Sequence, residues 1–286
     1  MKILVTGCNS SIGQSIISFF SKNKTNYIYG FYSSNKPKIF KKNIRYIKYK
    51  ISKNSKILNI NIDIIIHCAS VVPSDKKSRE YTIDINYKYS KRLFENLIKE
   101  KPVKIIFLSS MSVYKKNKSI ISEKESLQIT DSYAESKILF EKNLNELSIK
   151  NNSIKILILR LPGYVGKNSK NNFLSNVKFK ITNSIQVVFN NHDSYFNNII
   201  HEDTLCLIIR KFILSEKRKF LILNPSSKNP MKLINIIKLM YKTKKIKSNY
   251  IIAKQKNDSF IIDSSLARNL GYPIKTTKEE ILRFMN

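Results

Sequence analysis

Short apolar runs rich in Ile, Val, Leu and Tyr recur at 2–6, 27–32, 44–48, 62–66, 103–109 and 154–161, and each predicts a strand. Between them lie longer stretches with helical spacing of the apolar positions, notably 11–22, 80–100 and 131–149. Strands alternating with helices imply right-handed crossovers and a parallel sheet covered on both faces. The continuous runs IDIIIH and VKIIFL suit strands buried on both sides. After about residue 166 the rhythm loosens. A polar stretch, KNSKNN, leads to a predicted helix at 172–182, short strands at 185–189 and 197–201, a helix at 203–214 and a strand at 219–223. The last sixty residues read as helix, strand and terminal helix. The expected architecture is a doubly wound α/β domain over 1–166, to which 197–223 returns. Residues 167–196 and 224–286 form a smaller α+β region expected to bind substrate. No internal repeat is present.

Composition sharpens this picture at three points. The chain has 286 residues, 42% of them hydrophobic, enough for a sizeable core. No run of eighteen apolar residues predicts a membrane span, and the opening MKILVTG enters a strand with no signal-peptide layout, so a cytoplasmic protein is expected. Cys8, Cys68 and Cys206 are odd in number and scattered, which fits reduced thiols and no metal site. The net charge of +32 invites a nucleic-acid reading. Yet only eight of the 52 basic residues are Arg, and Lys, Ile and Asn, the residues of A/T-rich codons, are all heavily used. Arg is the preferred residue for bidentate contacts to phosphates and bases. Compositional drift therefore explains the charge better than a polyanion partner, and a general attraction to anionic substrates remains.

The segment KILVTGCNSSIGQSI reads as a strand, a small-residue turn and the start of an amphipathic helix. A dinucleotide pyrophosphate requires such a turn, because backbone N–H groups and a helix N-terminus must approach it closely. Gly7 suits the tight turn and Gly13 the close packing of helix on strand. Ser10 stands at the central position, small enough for the approach, with a hydroxyl free either to meet a phosphate or to cap the helix. After the second strand the chain reads Ser33-Ser34-Asn35-Lys36, with no acid to accept from ribose hydroxyls. Hydroxyls and a cation favour NADP over NAD there, although Lys is abundant everywhere in this chain.

In TDSYAESKILFEKNL, Tyr133 and Lys137 lie four apart on one helix face. A phenol of ordinary pKa about 10 works as an acid/base near neutrality only if a close ammonium stabilises its phenolate. The spacing itself is uninformative: eight of the fifteen tyrosines have Lys four positions later. The neighbourhood adds weight. The strand VKIIFL runs into Ser109 and Ser110, and a Ser beyond the carboxyl end of a strand lies where open α/β sheets bind ligands. It can also simply end the strand.

The order of these landmarks resembles that of the extended short-chain dehydrogenases/reductases, the NAD-dependent epimerase/dehydratase family of nucleotide-sugar enzymes, over nearly the whole length. TGCNSSIG is similar to the TGxxGxxG loop and DIIIHCAS to the fourth-strand segment, while INYKYSKRLFENL is similar to the helix that carries the family Asn, here Asn86. FLSSMSVY, YAESK, LRLPGYVG, NNIIHEDTL and IDSSLARNLGY follow in the family order. The resemblance implies a Rossmann-type sheet. It implies Tyr133 as acid/base, Lys137 as its electrostatic partner and ribose ligand, and Ser110 as the substrate-positioning hydroxyl. Gly7, Ser10, Ile12 and Gly13 would form the pyrophosphate turn, and Ala69, Asn86 and Pro162 the remaining cofactor walls; Ser33 and Lys36, read from the second-strand segment itself, would meet the far ribose. Asp203 reads as a helix cap and His201 as structural. A homodimer through a four-helix bundle of the 80–100 and 131–149 helices is a family expectation. Ser10 for Gly, Lys88 for a small residue and VGK for YGP are departures.

The loop after the fifth strand narrows the reaction. Dehydratases of this family carry an acidic pair where Met111 and Ser112 stand, and the fucose-synthase type carries a Cys where Ser112 stands. Reduction of a 4-keto sugar and 4-epimerisation with tightly held NAD remain. The missing ribose acid tilts the sequence reading toward the reductase. A catalytically idle relative that binds RNA or senses redox state is the competing class.

Overall fold

Seven strands form the organising sheet of the computed structural model, which describes residues 1–35, 37, 41–49, 60–72, 78–98, 103–115, 119–170, 172–254 and 259–286. They are β1 (Lys2–Thr6), β2 (Tyr27–Tyr32), β3 (Ile44–Lys48), β4 (Ile64–His67), β5 (Lys104–Ser110), β6 (Lys155–Leu161) and β7 (Phe220–Leu223). Their order across the sheet is β3-β2-β1-β4-β5-β6-β7. The β1–β2, β2–β3, β1–β4, β4–β5 and β6–β7 pairs belong to this sheet, and β1 meets β2 and β4 in parallel, with Thr6 opposite both Phe31 and His67. The chain reverses direction across the sheet between β1 and β4. At that switch point the carboxyl ends of strands diverge and leave room for a ligand.

The helices of this unit follow from capping and apolar stripes. In α1 (Ser11–Phe20), Ser10 caps the first turn and Ile16, Ile17 and Phe20 are buried. In α4 (Ser132–Lys150), the Asp131 carboxylate accepts from the Ala134 N–H at 2.7 Å. The expected helix at 80–100 is interrupted. It runs as α2 (Arg79–Ile83), a π-helical turn at Asp84–Lys88 and α3 (Tyr89–Leu97). Beneath the helices, Leu4, Ile65, Phe94, Phe107, Phe140, Leu144 and Ile156 share one core. Burying each such side chain contributes about 1.5–3 kcal/mol.

The chain divides into two compact units. The first takes Met1–Lys115, Ser126–Arg160 and Ile209–Leu223; the second takes Lys116–Glu125, Leu161–Ile208 and Asn224–Asn286. The helix Glu202–Ser215 is shared, its second half belonging to the first unit. In the second unit, helices Phe173–Thr182, Leu233–Lys244 and Thr277–Met285 bury Val177, Ile181, Ile236, Ile237, Met240 and Ile281 together. Its strands are paired in twos, among them Gly163–Val165 with Ile199–His201 and Val187–Phe189 with Tyr250–Ile252. Asp203, expected as a cap, lies inside the first turn of its helix. The cap is the His201 ring, whose Nδ1 accepts from the Asp203 N–H at 3.3 Å, because the helix begins one residue earlier, at Glu202. No helix among the described residues is long and apolar enough to cross a membrane.

Candidate active site

The turn after β1 is built around two positions that exclude a side chain. Gly7 has φ +65°, and a Cβ there would sit 2.7 Å from the backbone N and Cα of Ala69. A Cβ on Gly13 would collide with the Gly7 carbonyl oxygen. The Ser10 hydroxyl donates to the Gly7 carbonyl at 2.8 Å and accepts from the Gly13 N–H at 3.0 Å, so it acts as the helix cap. What the turn offers a ligand is backbone: the first N–H groups of a helix have no intrahelical acceptor, and the dipole favours an anion. Ile12, half-buried, lies in that first turn.

The β4 wall is tied to this turn. The Thr6 hydroxyl accepts from the Ala69 N–H at 3.2 Å and lies 2.8 Å from His67 Nδ1. His67 is enclosed by Phe94, Phe107 and Phe140, and burial pushes its pKa down to about 3, so the ring is neutral. Val71 and Asn86 hold each other twice: Val71 N–H donates to Asn86 Oδ1 at 2.7 Å, and Asn86 Nδ2 donates to the Val71 carbonyl at 2.9 Å. Asn86 Nδ2 also reaches Ser136 Oγ on α4 at 3.1 Å. The π-helical turn carries Asn86 at its centre, and such turns recur at functional sites.

Ser110, Tyr133 and Lys137 meet beside this wall. Lys137, 3% exposed, donates to the Leu108 carbonyl at 2.9 Å, and its Nζ lies 5.3 Å from the centre of the Tyr133 ring. Burial lowers the ammonium to about 8, partly offset by Cys68 and Glu141. Burial raises the Tyr133 phenol above its ordinary value, while the Ser70 and Ser110 hydroxyls beside it favour the ionised form. Ser110 Oγ accepts from the Ser112 N–H at 3.1 Å and from Ser112 Oγ at 2.9 Å.

A buried ion pair fastens this assembly from behind. Arg160 Nη2 donates to Glu141 Oε2 at 2.7 Å and Arg160 Nη1 donates to the Tyr114 hydroxyl at 2.8 Å. Ser109 Oγ donates to Glu141. One pair therefore holds both ends of the segment that carries Ser110, and joins it to α4, one turn beyond Lys137.

Of the positions singled out by sequence, Gly7, Ser10, Gly13, Ala69, Asn86, Ser110, Tyr133 and Lys137 are linked by these contacts within the first unit. Ser33 is exposed just past the end of β2, in a loop tied to the turn by the Asn9 amide donating to the Asn35 carbonyl. Lys36 lies outside the described residues. Pro162 is buried in the second unit, next to Gly163–Val165. Sequence reasoning missed Ser70, Ser112 and the Glu141–Arg160 pair. A charge inside the apolar run ILILRL was the available signal, because a buried Arg demands a partner. Among the described residues no cluster of three His, Cys, Asp or Glu could hold a metal ion.

The family model described as NAD dependent epimerase/dehydratase matches residues 3–193. No curated protein matches the sequence. Solved structures share the fold. UDP-glucuronic acid 4-epimerase from Bacillus cereus, in complex with NAD, is 19% identical with a TM-score of 0.80, covering 100% of this chain and 96% of that one. MoeE5, in complex with UDP-glucuronic acid and NAD, is 16% identical with a TM-score of 0.82, covering 100% and 98%. UDP-N-acetylglucosamine 4-epimerase from Bacillus cereus is 19% identical with a TM-score of 0.80, also covering 100% and 98%. With the family match spanning more than half of its length, and the glycine turn and YxxxK helix built into one sheet, the chain belongs to the NAD dependent epimerase/dehydratase family of extended short-chain dehydrogenases/reductases.

Proposed function

We propose that this chain is a nucleotide-sugar 4-epimerase, in which Tyr133 moves the proton of a sugar hydroxyl while the carbon beneath it is oxidised and reduced again. The observation that carries the reading is the meeting of Ser110, Tyr133 and Lys137 beside a turn that excludes side chains at Gly7 and Gly13. A dinucleotide fits that cradle. Within the first unit, Gly7, Ser10, Ile12 and Gly13 would hold its pyrophosphate, Lys137 and Tyr133 the nicotinamide ribose, and Ala69 and Asn86 its walls. When bound, the nicotinamide supplies hydride uptake and return.

The protein's own part is electrostatic. The Lys137 ammonium beside the ring would favour a phenolate, as do the Ser70 and Ser110 hydroxyls, against the burial that holds the phenol neutral. Tyr133 then accepts the hydroxyl proton as the carbonyl forms and returns it as the hydroxyl is restored. Ser110 donates to the sugar oxygen in both directions. Met111 and Ser112 supply no acid for elimination, which argues against dehydration.

Reduction of a 4-keto nucleotide sugar is the second reading. The observation favouring it is the exposed Ser33-Ser34-Asn35 loop after β2, which offers hydroxyls and an amide and no carboxylate to a ribose. Mass spectrometry of the dinucleotide released by denaturation, followed by assays with UDP-hexoses, tests both. Co-purified NAD with interconversion of 4-epimers, lost in Tyr133→Phe, is the expected result. An empty site that takes up NADPH and reduces a keto sugar selects the second reading, and failure to bind either dinucleotide overturns both.

A further inference from the structure

Ser112 stands beside Ser110 and bonds its hydroxyl twice. A hydroxyl has one proton to give and two lone pairs to fill. The Ser112 N–H fills one lone pair of Ser110 Oγ at 3.1 Å, and the Ser112 hydroxyl fills the other at 2.9 Å. The one direction left to Ser110 is donation, and its hydroxyl faces the Tyr133 phenol. A Ser110 that can only donate cannot accept the phenol proton. It stabilises whichever nearby oxygen carries negative charge: the phenolate, or a sugar oxygen as it gains charge. The geometry is fixed locally, because Ser110 is the N-cap of the short 3-10 turn Met111–Val113. The turn ends at Tyr114, fully buried and bound by Arg160.

We infer that Ser112 is a positioning residue that commits Ser110 to donating its single proton, to the Tyr133 phenolate or to the sugar oxygen, whichever carries the charge. The inference rests on the epimerase or reductase reading for its consequence in turnover, but its effect on the phenol is independent of that reading. Ser112 bonds Ser110 through both its N–H and its hydroxyl, and its effect on the phenol would run through Ser110.

The experiment compares Ser112→Ala, Ser112→Thr, Ser110→Ala and the double variant Ser110→Ala/Ser112→Ala. Two readouts are taken: kcat and KM across pH with a UDP-hexose, and Tyr133 ionisation from the ultraviolet difference spectrum against the matching Tyr133→Phe protein. Loss of one hydrogen bond to a hydroxyl that itself donates to a charged oxygen predicts roughly a 3- to 10-fold fall in kcat with KM changed less than about 2-fold. The Tyr133 ionisation should move upward, since a Ser110 freed to accept stabilises the phenolate less. Ser112→Thr keeps the hydroxyl and should restore both. In the Ser110→Ala background the Ser112 change should have no further effect on either. A Ser112→Ala effect that persists in that background, an unmoved Tyr133 ionisation, or a Thr variant as impaired as Ala would each overturn the inference. If the wild type turns over no nucleotide sugar, the functional reading fails, and the Tyr133 ionisation still decides the role of Ser112.

Discussion

Replacing Lys137 by Met should make the protein more stable at neutral pH while abolishing turnover. Lys137 is buried with its ammonium on the Leu108 carbonyl, and burial brings it from 10.5 to about 8. At about 1.4 kcal/mol for each pH unit, holding the charged form inside costs about 3 kcal/mol. Met is a similar straight chain and leaves little void. Loss of the hydrogen bond to Leu108 gives back about 1 kcal/mol, so the net gain at pH 7 is about 2 kcal/mol. The sign has a pH signature. Because the folded-state pKa lies below the unfolded one, the unfolded chain binds more protons between pH 8 and 10.5, and wild-type stability rises through that window. The advantage of the Met variant should therefore shrink from pH 8 upward and vanish or reverse by about pH 10.5. Urea unfolding of the ligand-free proteins at pH 7, 9 and 10.5, followed by circular dichroism, measures it. A variant less stable than wild type at pH 7, or a difference that does not change with pH, would refute the reasoning that burial of this charge is a stability cost accepted for the chemistry.

Three further outcomes are expected. Gly7→Ala forces an L side chain into a positive φ and against the Ala69 backbone, so it should cost about 1–3 kcal/mol and weaken dinucleotide binding, read by thermal melts with and without cofactor. Glu141→Gln leaves Arg160 buried without its carboxylate and should cost about 3–5 kcal/mol, whereas Glu141→Leu/Arg160→Met should recover most of that; denaturant midpoints of the three proteins decide it. Glu280, buried in the second unit with the His201 N–H donating to it at 3.1 Å, is raised by burial to about 7. The folded state thus binds more protons between pH 4.5 and 7, and wild-type stability falls as pH rises through that range. Glu280→Gln should flatten the fall and gain about 2 kcal/mol at pH 8 while matching wild type near pH 5, as urea unfolding at the two pH values would show.

The hydrophobic rhythm alone determined the strands, because IDIIIH and VKIIFL can satisfy their apolar side chains only between two layers, and the expected strands at 2–6, 27–32 and 44–48 are the observed β1, β2 and β3. The glycine turn was equally legible, since two of the six glycines stand at this spacing and each sits where backbone leaves no room for a Cβ. The tyrosine was not. Eight Tyr–Lys pairs share one spacing, and spacing fixes only a helix face. Tyr241 and Lys245 show the difference: Lys245 ends its helix in the left-handed region, away from any shared face. Lys137 is singled out because its helix is pressed onto the end of β5, where Phe107 and the Leu108 carbonyl enclose its ammonium. The π-helical turn that presents Asn86, the donors that fill Ser110, and the partner of Arg160 nineteen residues away were likewise decided by tertiary structure. Each depends on which buried polar group finds which partner across elements. Apolar periodicity records only whether a side chain is inside, and a hydrogen bond depends on what it meets there.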